Sequence, residues 1–419
     1  MTTQPQLSAS ILRPRKAAFV VALLCGLTIS TVHAGQAQSF RTIHSFSNAG
    51  DGGSPTSGVT IQGANLYGTA STGGTGNAGT VYQLKRSGDN WTLNTIHTFQ
   101  PSNGDGAQPL GGVTFGPNGT LYGMTYGGGT GCYGGCGTVY NLRPPQTFCR
   151  SGVCEWTETI LHNFRDYPSD GGEPFYSDVA FDAAGNLFST TCGGGSEGDG
   201  TIFELTHSNG GWTEAFVNNF NGLNGECPYS GVLIDADGNL FGTAIQGTGN
   251  QGVVYETSYN GTSWVTTVLE QFYTGGNGNA PAAGLVADAA GNLYGMTVSG
   301  TVYELTYSGG AWQFNIIFNL PRGGGYGTMA IDAAGNLYGS QFVGGMYGEG
   351  AVFKLTNNNG SWSYTDMHDF SIVNGGAFPY GGVTLDNQGH LYGTTTQGGI
   401  LAQGCGYWGC GGVWEITLP

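Results

Sequence analysis

A short string, Asn-Leu-Tyr-Gly in its commonest form, returns seven times along the chain, with its leucine at Leu66, Leu121, Leu187, Leu240, Leu293, Leu337 and Leu391. Successive copies lie 44 to 66 residues apart. That period exceeds a helical or leucine-rich repeat and suits one four-stranded propeller blade, a unit that buries its apolar faces only by stacking on copies of itself. The repeat therefore predicts the architecture, and function has to be sought where copies differ.

Residues 230–272 show the order of signals within a unit. An apolar run at 231–234 precedes the turn Asp-Ala-Asp-Gly-Asn at 235–239, and a second strand opens at Leu240. An aspartate capping the backbone two residues on, with Gly238 free to take positive φ, is the chemistry of a short hairpin. The turn recurs at 182–186, 288–292, 332–336 and 386–390. A glycine-rich loop then leads to a third strand of pattern Gly-Thr-Val-Tyr-x-Leu, at 79–84, 137–142, 200–205 and 300–305, with variants from Gly252, Gly350 and Gly411. The fourth strand opens on Trp91, Trp156, Trp212, Trp264, Trp312 or Trp362 and closes on Phe99, Phe164, Phe220, Phe272, Phe318 or Phe370. Apolar residues occupy both parities of these strands, as in a sheet covered on both faces. The seventh unit stops after its third strand, while residues 40–46 form a fourth strand with no blade before it. Joining the two fragments closes a ring and removes an exposed sheet edge. The expected fold is all-β, a seven-bladed propeller of four-stranded blades closed by its N-terminal strand.

The units at 288–297 and 300–305 also resemble those of the GloVer tandem-repeat proteins. The resemblance spans residues 40–416 and implies an exported bacterial protein with a variable anchoring mode, without implying an activity. The hairpin is similar to the turn of NHL-type propellers, a structural likeness alone. Departures from the pattern fall at Ser189, where the glycine is missing, at Pro117 and Asn118, and from Arg322 to Tyr326.

Arg13, Arg15 and Lys16 precede an apolar run from Ala17 to Ile29, and Val32, His33 and Ala34 offer small residues for signal cleavage. Residues 1–37 are read as a secretory signal and 38–419 as a single propeller domain. Cys25 follows Leu24 rather than a small residue, which argues against lipid attachment. No other stretch has the roughly 20 apolar residues of a membrane span. Without the signal, eight Lys and Arg face 27 Asp and Glu. Nucleic acid is excluded as a partner, because phosphate binding needs a dense cationic face. The 80 glycines and 12% aromatic content fit tight turns with aromatic packing.

Eight cysteines remain after Cys25, an even number in an exported chain. Disulfides Cys132–Cys136, Cys149–Cys154 and Cys405–Cys410 are local, and Cys192–Cys227 joins a loop to the segment leading into the next blade. A zinc site from Cys132, Cys136, Cys405 and Cys410 is disfavoured, because blade 1 separates their blades.

The glycine-rich loops lack the Lys-Ser/Thr ending and helix of a phosphate cradle. The Asp turns lack the twelfth-position glutamate of a calcium loop. More informative are the lead-in segments at 51–55, 105–109, 170–174 and 224–228, which the propeller register places on one face with the glycine loops. That face carries the residues that vary between blades. Tyr126, Tyr133, Glu173, Tyr176, Glu226, Tyr229, Tyr407 and Trp408 are the candidate binding residues, with Glu197, Asp199, Tyr347 and Glu349 nearby. Aromatic rings beside carboxylates suit sugars, which offer apolar faces and hydroxyls. The alternative role for each ring is to fill a gap in loop packing. No catalytic residue is assigned: Glu173 with Glu226, or Glu197 with Asp199, are carboxylate pairs of unknown separation. Four of the six histidines after His33 (His44, His97, His162 and His368) occupy equivalent positions and read as architectural, and no metal or cofactor is expected.

The expectation is thus a secreted, extracellular or periplasmic, monomeric binding module for a glycan or surface polymer. The competing expectations are a polysaccharide hydrolase or lyase on the same scaffold, and a non-catalytic element of the cell envelope, which would show a flat apolar patch.

Overall fold

Each repeat forms a four-stranded antiparallel sheet, and in all but the blade that joins the two chain ends the strands follow chain order from the axis outward. In blade 4 these are Leu233–Ile234, Leu240–Ala244, Val253–Tyr259 and Trp264–Gln271. The computed structural model describes residues 38–145, 155–208, 211–249, 251–273, 275–373, 375–399 and 405–418, all within one unit, Ala37–Pro419. Among them are seven such sheets, the blades of a propeller. The signal expected over residues 1–37 and the Cys149–Cys154 pairing lie outside the described residues.

The ring closes as the orphan strand predicts. Ser39–Ser45 pairs antiparallel with Gly412–Thr417, Ser39 opposite Thr417 and Ser45 opposite Gly412, completing blade 7 with His390–Thr395 and Thr384–Leu385. Arg41 forms an ion pair with the buried Glu415 on that strand. Thr394 Oγ1 donates to the Ser57 carbonyl (2.6 Å) and Thr384 Oγ1 to the Val59 carbonyl (2.6 Å), tying blade 7 to blade 1.

The Asp turns work locally. Asp235 Oδ1 accepts from the N–H groups of Asp237 (2.9 Å) and Asn239 (2.8 Å), and Oδ2 accepts from Asn239 Nδ2 (2.8 Å). Asp182, Asp288 and Asp332 do the same.

Core residues lie between blades. One cluster joins Phe188, Ile202 and Phe220 of blade 3 to Leu240, Val253 and Tyr255 of blade 4. Within each blade, the glycine after Leu-Tyr faces the large ring of the third strand. A Cβ on Gly68, Gly123, Gly242 or Gly295 would sit 2.2 to 2.4 Å from the hydroxyl of Tyr82, Tyr140, Tyr255 or Tyr303. In blade 3 the facing residue is Phe203, which has no hydroxyl, and here stands Ser189, whose Oγ donates to the Asp178 carbonyl (2.8 Å). Phe203 leaves room for the Ser189 side chain, although the same ring type in blade 6, Phe353, faces a glycine, Gly339.

Neighbouring blades are joined by a repeated backbone device. In six lead-ins the residue before a proline is left-handed: Ser54, Gln108, Glu173, Cys227, Ala280 and Phe378, with φ between 50° and 56°. Its N–H donates to a loop carbonyl of the preceding blade, as in Cys227 to Asp199 (2.8 Å) and Phe378 to Glu349 (2.7 Å). The proline then packs on the glycine that opens the preceding third strand; a Cβ on Gly200 (φ 94°) would lie 2.9 Å from Pro228 Cδ. Blade 6 has Gly324 and Gly325 at this place instead.

Candidate binding site on the loop face

The lead-ins and glycine loops do share a face, because they pair with each other. Gly106–Ala107 bonds to Gly127–Gly128, Gly171–Gly172 to Gly193–Gly194, and Glu226 to Gln246. Disulfide Cys192–Cys227 staples the loop of blade 3 to the lead-in of blade 4, and Cys132–Cys136 and Cys405–Cys410 close their own loops.

Over the axis on this face sits a group of rings. Tyr176, Tyr229, Tyr326 and Tyr380 arrive from blades 3, 4, 6 and 7, each on the short segment before a first strand. Tyr326 and Tyr380 stack at 4.9 Å between centroids, Tyr176 and Tyr380 stack at 5.7 Å, and Tyr176 lies 5.2 Å from Tyr229. Blades 3 and 7 are not neighbours, so the Tyr176–Tyr380 stack crosses the axis. Phe175 extends the group by stacking on Tyr229 (4.6 Å) and meeting Tyr126 edge-on (5.2 Å), and Phe342 adds a contact to Tyr380 (4.3 Å). All of these rings are half-buried, so the group presents a continuous aromatic surface. Burial and the neighbouring phenols raise the pKa of Tyr176, and push that of Tyr229 up to about 12. The phenols stay neutral at ordinary pH and keep O–H donors available.

Beneath the rings the axial channel holds a cavity of about 430 Å³, lined by Tyr176, Tyr326 and Tyr380 at one end and Ile61 and Leu385 at the other. Asp178 projects into it. The Gly112 N–H donates to Asp178 Oδ1 (2.6 Å). The carboxyl is open to the channel rather than to bulk solvent, and that enclosure raises its pKa against the Gly112 hydrogen bond. A further hollow of about 660 Å³ lies between blades 1 and 7, lined by Arg86, Trp91 and Tyr392.

The sequence-predicted residues divide in two. Tyr126, Tyr176 and Tyr229 belong to the aromatic surface. Glu173 borders it, exposed and beside Tyr126, whose hydroxyl pKa rises through burial and this carboxylate. Glu226, half-buried in its bridge to Gln246, has its pKa raised by burial and by Asp199. Tyr133 is fully exposed, and Tyr407 and Trp408 meet only each other among the ring contacts, edge-on at 5.1 Å. Sequence reasoning missed Phe175, Asp178, Tyr380 and Phe342, and met Tyr326 only as the end of an irregular segment. A signal existed: the residue before the apolar start of the first strand is Gly58, Gly112, Gly231, Gly284 and Gly382, against Asp178 and Thr328.

The histidines also have partners that the sequence did not disclose. His97 Nε2 lies 3.2 Å from Asp105 Oδ2 and 3.6 Å from Glu158 Oε1, and His162 Nε2 lies 3.0 Å from Asp170 Oδ2 and 3.6 Å from Glu214 Oε2. Burial and then the adjacent Asp105 raise the pKa of Glu158, and burial together with Asp170 raises that of Glu214 against the opposing charge of His162. Each of these two histidines, at its repeated place in the blade, thus stands within 4.8 Å of two carboxylates in a group that could hold a metal ion.

With this geometry in hand, the sequence profile described as the Gloeobacter/Verrucomicrobia repeat matches residues 28–152 and 135–300. The chain belongs to that repeat family. No curated protein matches it in sequence. Among solved structures, a protein from Lactobacillus plantarum is 14% identical, covering 79% of this chain and 88% of its own, with a TM-score of 0.51. A putative 6-phosphogluconolactonase from Bacteroides uniformis is 14% identical over 81% of this chain and 89% of its own (TM-score 0.49). A gluconolactonase from Xanthomonas campestris is 16% identical over 74% and 86% (TM-score 0.41). At these identities the likeness is one of fold alone. Among the described residues no helix is long and apolar enough to cross a membrane.

Proposed function

We propose that this member of the repeat family is an exported binding module whose loop face takes an extracellular glycan, with the tyrosine group over the axis as the contact surface. The observation that supports this reading is that rings from four blades converge half-exposed on one point, each bringing an apolar face and an O–H donor. A sugar ring needs both, and the bordering Glu173 and Glu226 add acceptors for hydroxyls. The three disulfides agree with an oxidising location.

A glycan array with residues 38–419 tests the reading. Tyr176→Ala and Tyr380→Ala are each expected to weaken binding by about tenfold, the scale of one aromatic contact of ~1.4 kcal/mol. Trp408→Ala is expected to leave it unchanged. Absence of binding to every glycan, or binding indifferent to both tyrosines, refutes the proposal. The competing hydrolase reading has Asp178 in its favour, an enclosed carboxyl suited to proton transfer. Product release from a bound glycan that Asp178→Asn abolishes would decide for it.

A further inference from the structure

Each pair of neighbouring blades forms the same slot, where a residue near the end of one fourth strand faces the next lead-in and the next fourth strand. The slots differ in chemistry: between blades 4 and 5 a carboxylate meets an amide, Asn277 Nδ2 donating to Glu270 Oε1. Between blades 3 and 4 it is amide on amide, with Asn224 Nδ2 donating to Asn218 Oδ1 (3.2 Å). Between blades 5 and 6 it is aromatic, Phe318 stacked on Tyr364, and between 6 and 7 it is His368 stacked on Phe40. Between blades 7 and 1, His44 faces Asp51 at 3.4 Å, but the third place is held by Leu93. Among the described residues, only between blades 1 and 2 and blades 2 and 3 do an imidazole and two carboxylates from both blades meet within 4.8 Å.

We infer that these two slots are binding sites for a divalent cation with the ligand preference of zinc, held by His97, Asp105 and Glu158 in one and by His162, Asp170 and Glu214 in the other. The spacing carries the inference. Zinc–nitrogen and zinc–oxygen bonds of about 2.0–2.2 Å set tetrahedral ligands roughly 3.3–3.6 Å apart. The imidazole-to-carboxylate distances are 3.2 and 3.6 Å in one slot and 3.0 and 3.6 Å in the other. Glu158 Oε1, which faces His97, is buried without a hydrogen-bond partner, and in the second slot the unpaired buried oxygen is Glu214 Oε1, while Oε2 faces His162. A buried carboxylate oxygen left unpaired beside a second carboxylate is costly unless a proton or a cation joins them. The side chains retain 4 to 18% of their surface, which leaves a path for the ion and a water as fourth ligand. Bound there, the cation bridges the fourth strands of adjacent blades. The slots differ in one respect: Arg165, whose backbone N–H donates to Asp170 Oδ2 (3.0 Å), carries a positive charge near the second, where Gln100 stands at the first. The first site is accordingly the tighter.

The test is zinc content of residues 38–419 after chelator stripping, dialysis against Zn²⁺ and elemental analysis. Two ions per chain are expected, one in Glu158→Gln or Glu214→Gln, and none in the double variant. Excess Zn²⁺ should raise the Tm of the parent and not of the double variant. Should the glutamine variants fail to fold, Leu93→Glu supplies the missing ligand at the His44–Asp51 slot and is expected to take the count to three. Zinc uptake no greater than that of a folded double variant, or unchanged by Leu93→Glu when the others cannot be read, overturns the inference.

Discussion

At the scale of single residues, repeats diverge in matched pairs, and blade 3 shows how. In blades 1, 2, 4 and 5 glycine makes room for a buried tyrosine hydroxyl, so tight that a Cβ on Gly242 would lie 2.3 Å from Tyr255 Oη, while Gly339 and Gly393 face Phe353 and Trp414. Blade 3 has Ser189 opposite Phe203. Adding the hydroxyl back as Phe203→Tyr brings it onto the serine side chain and should destabilise the fold by about 1–3 kcal/mol, the cost of overpacking a close-fitted core. Ser189→Gly alone loses the hydrogen bond to the Asp178 carbonyl and adds backbone freedom, a loss of about 1–2 kcal/mol. The double variant recreates the pairing of blades 1, 2, 4 and 5 and should recover most of the overpacking cost. Urea unfolding of the four proteins measures this coupling, and simple additivity would refute the steric account.

At the scale of elements, the docking of the closing strand rests partly on an uncharged histidine. Phe40 stacks on His368 at 3.5 Å, and His368 Nε2 is buried with no hydrogen-bond partner. Burial lowers the His368 pKa to about 4 from 6.5, against the pull of Asp369. A depressed folded pKa means stability that is full above pH 6.5 and is lost as pH falls through about 4. His368→Phe keeps the stack without the titration, so its Tm should fall less than the parent's between pH 6.5 and 4. Parallel curves for the two proteins would disprove the assignment. The same slots show what was legible in the sequence. Strand order and Asp turns repeat along the units, so each local signal was read several times over, and closure followed from counting strands at the two ends. The His97 cluster was not, because Glu158 lies 61 residues away on another blade and its counterpart in blade 1 is Leu93. Tyr176 and Tyr229 were named from the sequence, but the convergence of the axial rings was not legible, for a related reason. Tyr176 and Tyr380 meet only because non-adjacent blades face each other across a channel, which no local pattern encodes, whereas Asp178 was readable by setting the lead-ins side by side.

At the scale of the whole molecule, equivalence of the blades makes the seam between chain ends a matter of position rather than of design. Blade 7 is interrupted between its third and fourth strands, with Ser39 opposite Thr417. In blade 4 the same junction is the exposed hairpin at Asn260 and Gly261, between Val253–Tyr259 and Trp264–Gln271. A circular permutant that joins residue 418 to residue 38 through a short Asn-Gly turn and begins at Gly261 therefore moves the seam to blade 4 while keeping every blade four-stranded. Its third and fourth strands retain their register from Val253 opposite Gln271 to Tyr259 opposite Trp264. The expected result is a monodisperse protein within about 2 kcal/mol of the parent, since new ends at an exposed turn break no buried backbone hydrogen bond. By contrast, removing residues 38–46 strips blade 7 of its outer strand and bares the edge of Gly412–Thr417, which should drive self-association detectable by size exclusion. A permutant that fails to fold, paired with a truncated chain that stays monomeric, would mean that the outer strand of blade 7 is dispensable and that stability is concentrated elsewhere in the ring.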